Sequence, residues 1–73
     1  MNFIEGRIDV YFAKGYGFIH HKSPDNLLTK FFFHISSVIA GEPRNGAKVQ
    51  FVPVQGKKGL SASNVTVLSP EGK

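Results

Sequence analysis

From Phe3 to Phe12 the side chains alternate. Ile4, Gly6, Ile8, Val10 and Phe12 fall on one side, and Phe3, Glu5, Arg7, Asp9 and Tyr11 on the other. A period of two with one apolar side predicts a half-buried β-strand. Gly6 within it predicts a bend or bulge, as barrel strands need. Ala13-Lys14-Gly15 reads as a short turn and Tyr16–His21 as a second strand, so residues 3–21 predict a hairpin. The stretch Lys14-Gly15-Tyr16-Gly17-Phe18-Ile19 has unusual chemistry. In extended backbone Lys14, Tyr16 and Phe18 share one face, continued by His20, while Gly15, Gly17 and Ile19 share the other. Rings and a cation backed by residues without side chains make a poor core. They make a suitable platform, since rings stack on bases and cations meet phosphates.

The pattern recurs downstream. Lys22 to Asn26 is a loop with Pro24, Asp25 and Asn26 as turn formers, and Leu27-Leu28 is expected to tuck back onto the core. Lys30–Ile35 predicts a third strand, with Phe31, Phe33 and Ile35 on one face and Lys30, Phe32 and His34 on the other. One face must be core, and the other repeats the chemistry of cation, ring and imidazole. Ser36–Gly41 is short enough to predict a single helical turn. After the loop 42–46, Ala47–Val54 predicts a fourth strand with Pro53 on an edge or bulge. Gln55-Gly56-Lys57-Lys58-Gly59 reads as a basic hairpin loop, and Leu60–Leu68 as a fifth strand. Residues 1–68 are expected to form one domain, and 69–73 a frayed tail.

Five short strands, little helix and glycine-rich turns predict an all-β fold, a five-stranded antiparallel barrel. Closing the sheet protects its edges. The five-stranded barrel that handles oligonucleotides on one face is the OB-fold.

Composition narrows the function. The chain has 73 residues and a formal net charge of +4, which favours polyanionic partners. Seven Phe and two Tyr exceed what so small a core needs, so rings are expected on the surface. With no cysteine, disulfides and thiolate metal sites are excluded. Apolar runs are too short to span a membrane, and the start of the chain lacks the form of a signal peptide. A cytoplasmic protein is expected.

Three stretches then resemble the bacterial cold-shock domain. Lys14-Gly15-Tyr16-Gly17-Phe18-Ile19 is similar to that family's first RNA-binding motif, and Phe31-Phe32-Phe33-His34-Ile35-Ser36 to its second, usually Val-Phe-Val-His-Phe-Ser. Ser61-Ala62-Ser63-Asn64-Val65-Thr66 looks like its closing strand. The resemblance implies an OB-fold that binds single-stranded DNA or RNA without a cofactor, as an RNA chaperone or a regulator of transcription or translation. The chain also departs from the family. Its first strand is one residue shorter, Asp9 stands where a lysine is usual, there is no Trp, and Ile35 replaces the second motif's last aromatic.

The expected stacking set is Tyr16, Phe18, Phe32 and His34, with Tyr11 in place of a missing aromatic and His20 beside them. Lys14, Lys30, Lys57 and Lys58 are expected to meet phosphates, so binding should weaken as salt rises. An enzyme is not expected. His20 and His21 point to opposite faces of a strand, so at most one could join His34 at a metal. A domain of the RRM type would need two amphipathic helices. The competing reading is a protein-interaction or self-associating barrel using the same rings. A monomer is expected, with a weak or swapped dimer as its alternative.

Overall fold

The alternating segments form the strands of a barrel. The computed structural model describes residues 2–57 and 59–69. Its strands are β1 (Ile4–Phe12), β2 (Tyr16–Lys22), β3 (Leu28–His34), β4 (Val38–Ala40), β5 (Lys48–Gly56) and β6 (Gly59–Ser69), with a 3₁₀ turn at Ile35–Ser37. β1 pairs antiparallel with β2 and with β5, β2 with β3, and β5 with β6. A parallel contact at Phe32–Ser61 joins β3 to β6 and closes the five main strands into a ring.

Two details differ from the expectation of five antiparallel strands. Closure is through that parallel contact, and Val38–Ala40 adds a short strand parallel to β6. Three residues give no periodicity to read. The segment becomes a strand because Val38 and Ala40 find partners in Val65 and Thr66. The final strand also runs through Ser69, and residues 70–73 of the expected tail lie outside the described residues.

The core is what the inward faces supply: Ile8, Ile19, Phe31, Phe33, Ala47, Val49, Phe51, Ala62 and Val65. Each fully buried Phe, Ile or Val contributes roughly 1.5–3 kcal/mol. Pro53 lies beyond Phe51, the last β5 residue paired with β1, where its missing N–H costs no ladder bond. Leu27 and Leu28 do not tuck inward; they are 64% and 67% exposed. Leu28 has the same alternation as Lys30 and so faces outward. The turn before it is closed by Ser23, whose N–H donates to the Leu27 carbonyl and whose carbonyl accepts from Asn26 N–H.

The strict alternation expected for the first strand breaks at Asp9. Ile8 lies opposite Ile19, but Val10 lies opposite Phe18, so β1 bulges between them. Asp9 and Val10 therefore both face outward, and every later residue of β1 changes sides. Tyr11 turns inward, opposite Gly17, and Phe12 turns outward, opposite Tyr16.

Candidate nucleic-acid interface

The outer face of β1, β2 and β3 is a grid, because cross-strand partners share a face. Phe12, Tyr16 and His34 form one row and Val10, Phe18 and Phe32 the next. Arg7, His20 and Lys30 form a third. The rings meet in a chain. Phe12 and Tyr16 have centroids 5.0 Å apart, Tyr16 and Phe32 5.9 Å, and Phe18 and Phe32 5.9 Å edge to face. Phe12 and Phe32 are each 40% exposed, a large share for packed phenyl rings. Lys30 Nζ sits 5.6 Å from the Phe18 centroid, within cation–π range.

The rings stand on glycine and on core. A Cβ at Gly17 would lie 2.3 Å from the Val10 carbonyl oxygen and 3.0 Å from Phe33 Cε1. Only a residue without a side chain lets β1 and Phe33 close up beneath the platform. The turn ahead of β2 is equally tight: Gly15 has φ +104° and its N–H donates to the Phe12 carbonyl at 2.9 Å. The Gly15 carbonyl accepts from Ile35 N–H at 2.8 Å, which ties the hairpin to the end of β3.

Tyr11 is not on this face. It is half-buried against the core, with its ring stacked on Phe33 at 6.0 Å and 19°. Its backbone N–H donates to Asn45 Oδ1 at 2.8 Å. Phe12, which the alternation placed inward, takes the outer position instead. The signal was in the turn. A reversal confined to residues 13–15 makes Phe12 and Tyr16 partners, and partners share a face.

The remaining expected residues divide. Tyr16, Phe18, His20, Lys30, Phe32 and His34 come together on the grid. Lys14 is exposed in the turn before β2, at the hairpin's tip rather than on the strand face. Lys57 lines a groove of about 770 Å³ that it shares with Phe32, His34, Val54 and Leu60, so the surface runs on from β3 to the β5–β6 turn. Lys58 lies outside the described residues.

The histidines have separate tasks. His34 Nδ1 accepts from the Ser36 backbone N–H at 3.1 Å and lies 3.0 Å from Ser36 Oγ, capping the 3₁₀ turn. In the neutral ring this leaves the proton on Nε2, as a donor for a base-edge acceptor. His20 Nδ1 is 4.0 Å from Asp9 Oδ1. His21 donates from Nδ1 to the Glu5 carbonyl at 2.7 Å.

Rings with open faces, cations around them and a fixed donor suit unpaired bases, whose faces are free for stacking. Among the described residues no helix is long and apolar enough to cross a membrane. Comparison with known proteins agrees with this chemistry. No curated protein sequence matches the chain. Among solved structures it is similar to a Drosophila protein described as Unr CSD456, with a TM-score of 0.71 and 22% identity. That match covers 99% of this chain and 29% of the other, and it shows the fold. Residues 4–68 match the family described as the 'Cold-shock' DNA-binding domain, a nucleic-acid-binding and not a catalytic family. With nearly its whole length matched and both motifs on one sheet face, the chain belongs to the cold-shock DNA-binding domain family.

Proposed function

We propose that this chain binds single-stranded DNA or RNA on the outer face of β1–β3. Bases stack on Phe12, Tyr16, Phe18, Phe32 and His34, while Lys14, Lys30 and Lys57 meet phosphates; His20 belongs to the same basic surround. The observation that carries this reading is the continuous chain of rings, 5.0–5.9 Å apart, on a sheet face open to solvent. Each base–ring stack contributes roughly 1–3 kcal/mol and tolerates any base. Duplexes hide base faces and are poor ligands for such a surface.

We further propose, on the motif spelling, a bacterial type of cold-shock domain, and with it a domain of residues 1–68 that is monomeric and cytoplasmic. It acts as an RNA chaperone or as a regulator of transcription or translation. An NMR titration with oligothymidine tests the binding reading, with shifts expected at Phe12, Tyr16, Phe18, Phe32 and His34. If neither DNA nor RNA oligomers bind at low salt, the reading is wrong. The second reading is a protein-interaction or self-associating barrel. It draws on the exposure of Phe12 and Phe32, and sedimentation across a concentration series tests it.

A further inference from the structure

The basic row at the edge of the rings continues beyond the three-stranded platform. Lys48 on β5 lies opposite Arg7, Arg7 lies opposite His20, and His20 lies opposite Lys30. Four strands thus carry three cations and an imidazole abreast, at right angles to the strands. At 4.7–4.9 Å between neighbours the row is about 14 Å long. All four point outward, since the residues flanking them (Ile8, Ile19, Phe31, Ala47 and Val49) are buried. Three of its members, Arg7, His20 and Lys48, line a cleft of about 550 Å³ together with Glu5, His21 and Lys22.

We infer that this row is a track for the sugar–phosphate backbone, and that it carries the bound strand across the barrel from β3 to Lys48 on β5. The inference rests on the stacking reading and extends its footprint. Two features argue for a backbone track rather than scattered surface charge. The nearer ring row, Val10–Phe18–Phe32, runs parallel to the basic row, two residues away along β2 and β3, or about 7 Å. A nucleotide spans that gap from base to phosphate. The only acids beside the row are held by its own members among the described residues: Glu5 Oε1 is 3.8 Å from Lys48 Nζ, and Asp9 is the partner of His20. Such exposed pairs are weak and open readily to a phosphate. Arg7 donates to the Gly46 carbonyl at 2.9 Å, which ties its guanidinium to the loop before β5.

The test is fluorescence anisotropy with labelled oligothymidines of about 4 and about 12 nucleotides, both within the site sizes known for such barrels. Titrations run at several salt concentrations on wild type, Lys48→Gln, Glu5→Gln and Phe18→Ala. A single-strand phosphate contact adds about 0.7 to the salt slope, or about fivefold in affinity near 0.1 M salt. Lys48→Gln should lower affinity for the longer oligomer about fivefold and reduce its slope by about 0.7, leaving the shorter one unchanged. Glu5→Gln should tighten the longer oligomer. Phe18→Ala should weaken both lengths. If Lys48→Gln leaves the slope for the longer oligomer unchanged while Phe18→Ala weakens both, the track is wrong and the stacking reading stands. If wild type binds neither oligomer, the stacking reading fails and the track falls with it.

Discussion

Two outward sheet faces of this barrel are built by the same alternation and carry different chemistry. On β1–β3 the rows are Phe12–Tyr16–His34, Val10–Phe18–Phe32 and Arg7–His20–Lys30. On β5–β6 they are Gln50–Thr66, Val52–Ser63 and Val54–Ser61, rows with no ring and no charge, Lys48 at the start of β5 being the one cation among these outward positions. Both faces overlie the same core, and both are open to solvent in part. The barrel therefore requires only that one side of each strand be apolar. Where the outer residues could be anything that keeps a strand extended, β5 and β6 use small, polar and β-branched ones. The rings and cations on the other face add nothing that the fold needs, and they expose apolar surface to water. That expense is intelligible as a binding face.

The largest expected effect comes from filling the space beneath the rings. Gly17→Ala would push a Cβ into the Val10 carbonyl, 2.3 Å away, and against Tyr11 Cα and Phe33 Cε1, each 3.0 Å away. Backbone on one side and a fully buried ring on the other cannot yield easily. A loss of about 3 kcal/mol is expected, most of the roughly 3–5 kcal/mol that such a domain holds. On the other face, a Cβ at Gly56 meets only the Gly59 carbonyl oxygen, at an ordinary 3.6 Å. Gly56→Ala should change stability by no more than about 0.5 kcal/mol. Thermal unfolding of the two variants measures the contrast, and equal melting temperatures would refute it.

The bulge at Asp9 makes neighbours in sequence into opposites in role. Tyr11→Ala removes a ring packed on Phe33 and should cost about 2–3 kcal/mol of stability. Phe12→Ala removes a ring that is 40% exposed, and should leave the fold nearly intact while weakening oligonucleotide binding by roughly 1–3 kcal/mol. Denaturant unfolding and anisotropy on the same two proteins separate the effects. The reverse outcome, with Phe12 stabilising and Tyr11 binding, would restore the unbulged register.

Phe18→Ala and Phe32→Ala should each weaken single-strand binding by roughly 1–3 kcal/mol, and Val52→Ala, at a corresponding outward position on β5, should not change it. A binding loss for Val52→Ala equal to that of Phe18→Ala would mean that the ligand does not distinguish the faces.

Much of this was legible in the residues, and the exceptions have a common cause. The strands with the strongest alternation, β2 and β3, have their faces as read through His34, because one side of each is unmistakably core: Ile19 on one, Phe31 and Phe33 on the other; Ile35, read as the next core residue, instead begins the 3₁₀ turn and is exposed. In β1 the two halves make conflicting demands. Ile8 must face in, and the tight turn at residues 13–15 forces Phe12 to Tyr16's side. An unbroken alternation cannot satisfy both, so one extra residue must bulge, and Asp9-Val10 takes it. Reading the strand alone hid this, whereas reading the strand with its turn exposes it. β4 could not be read locally at all, since its pairing depends on Val65 and Thr66, more than twenty residues on. Lys14 and Lys57 had a visible charge, but their positions relative to the rings depend on turn geometry. The row from Lys48 to Lys30 joins four strands and exists only once register is known.

The smallest expected effect concerns Asp9 itself, the acid that the bulge carries outward. Its carboxylate is 49% exposed and 4.0 Å from His20 Nδ1, between the ring rows and the basic row. A phosphate about 7 Å away in water would feel a repulsion of about 0.6 kcal/mol. Asp9→Asn should therefore tighten binding roughly two- to threefold at low salt, without altering the strand's register, since asparagine fits the same outward position. Salt supplies the control, because the Debye length falls to about 3 Å at 1 M and the gain should vanish there. A gain that persists at high salt would point to a new hydrogen bond rather than lost repulsion. A loss of affinity would mean that the carboxylate accepts directly from a base, making Asp9 part of the binding surface instead of a brake on it.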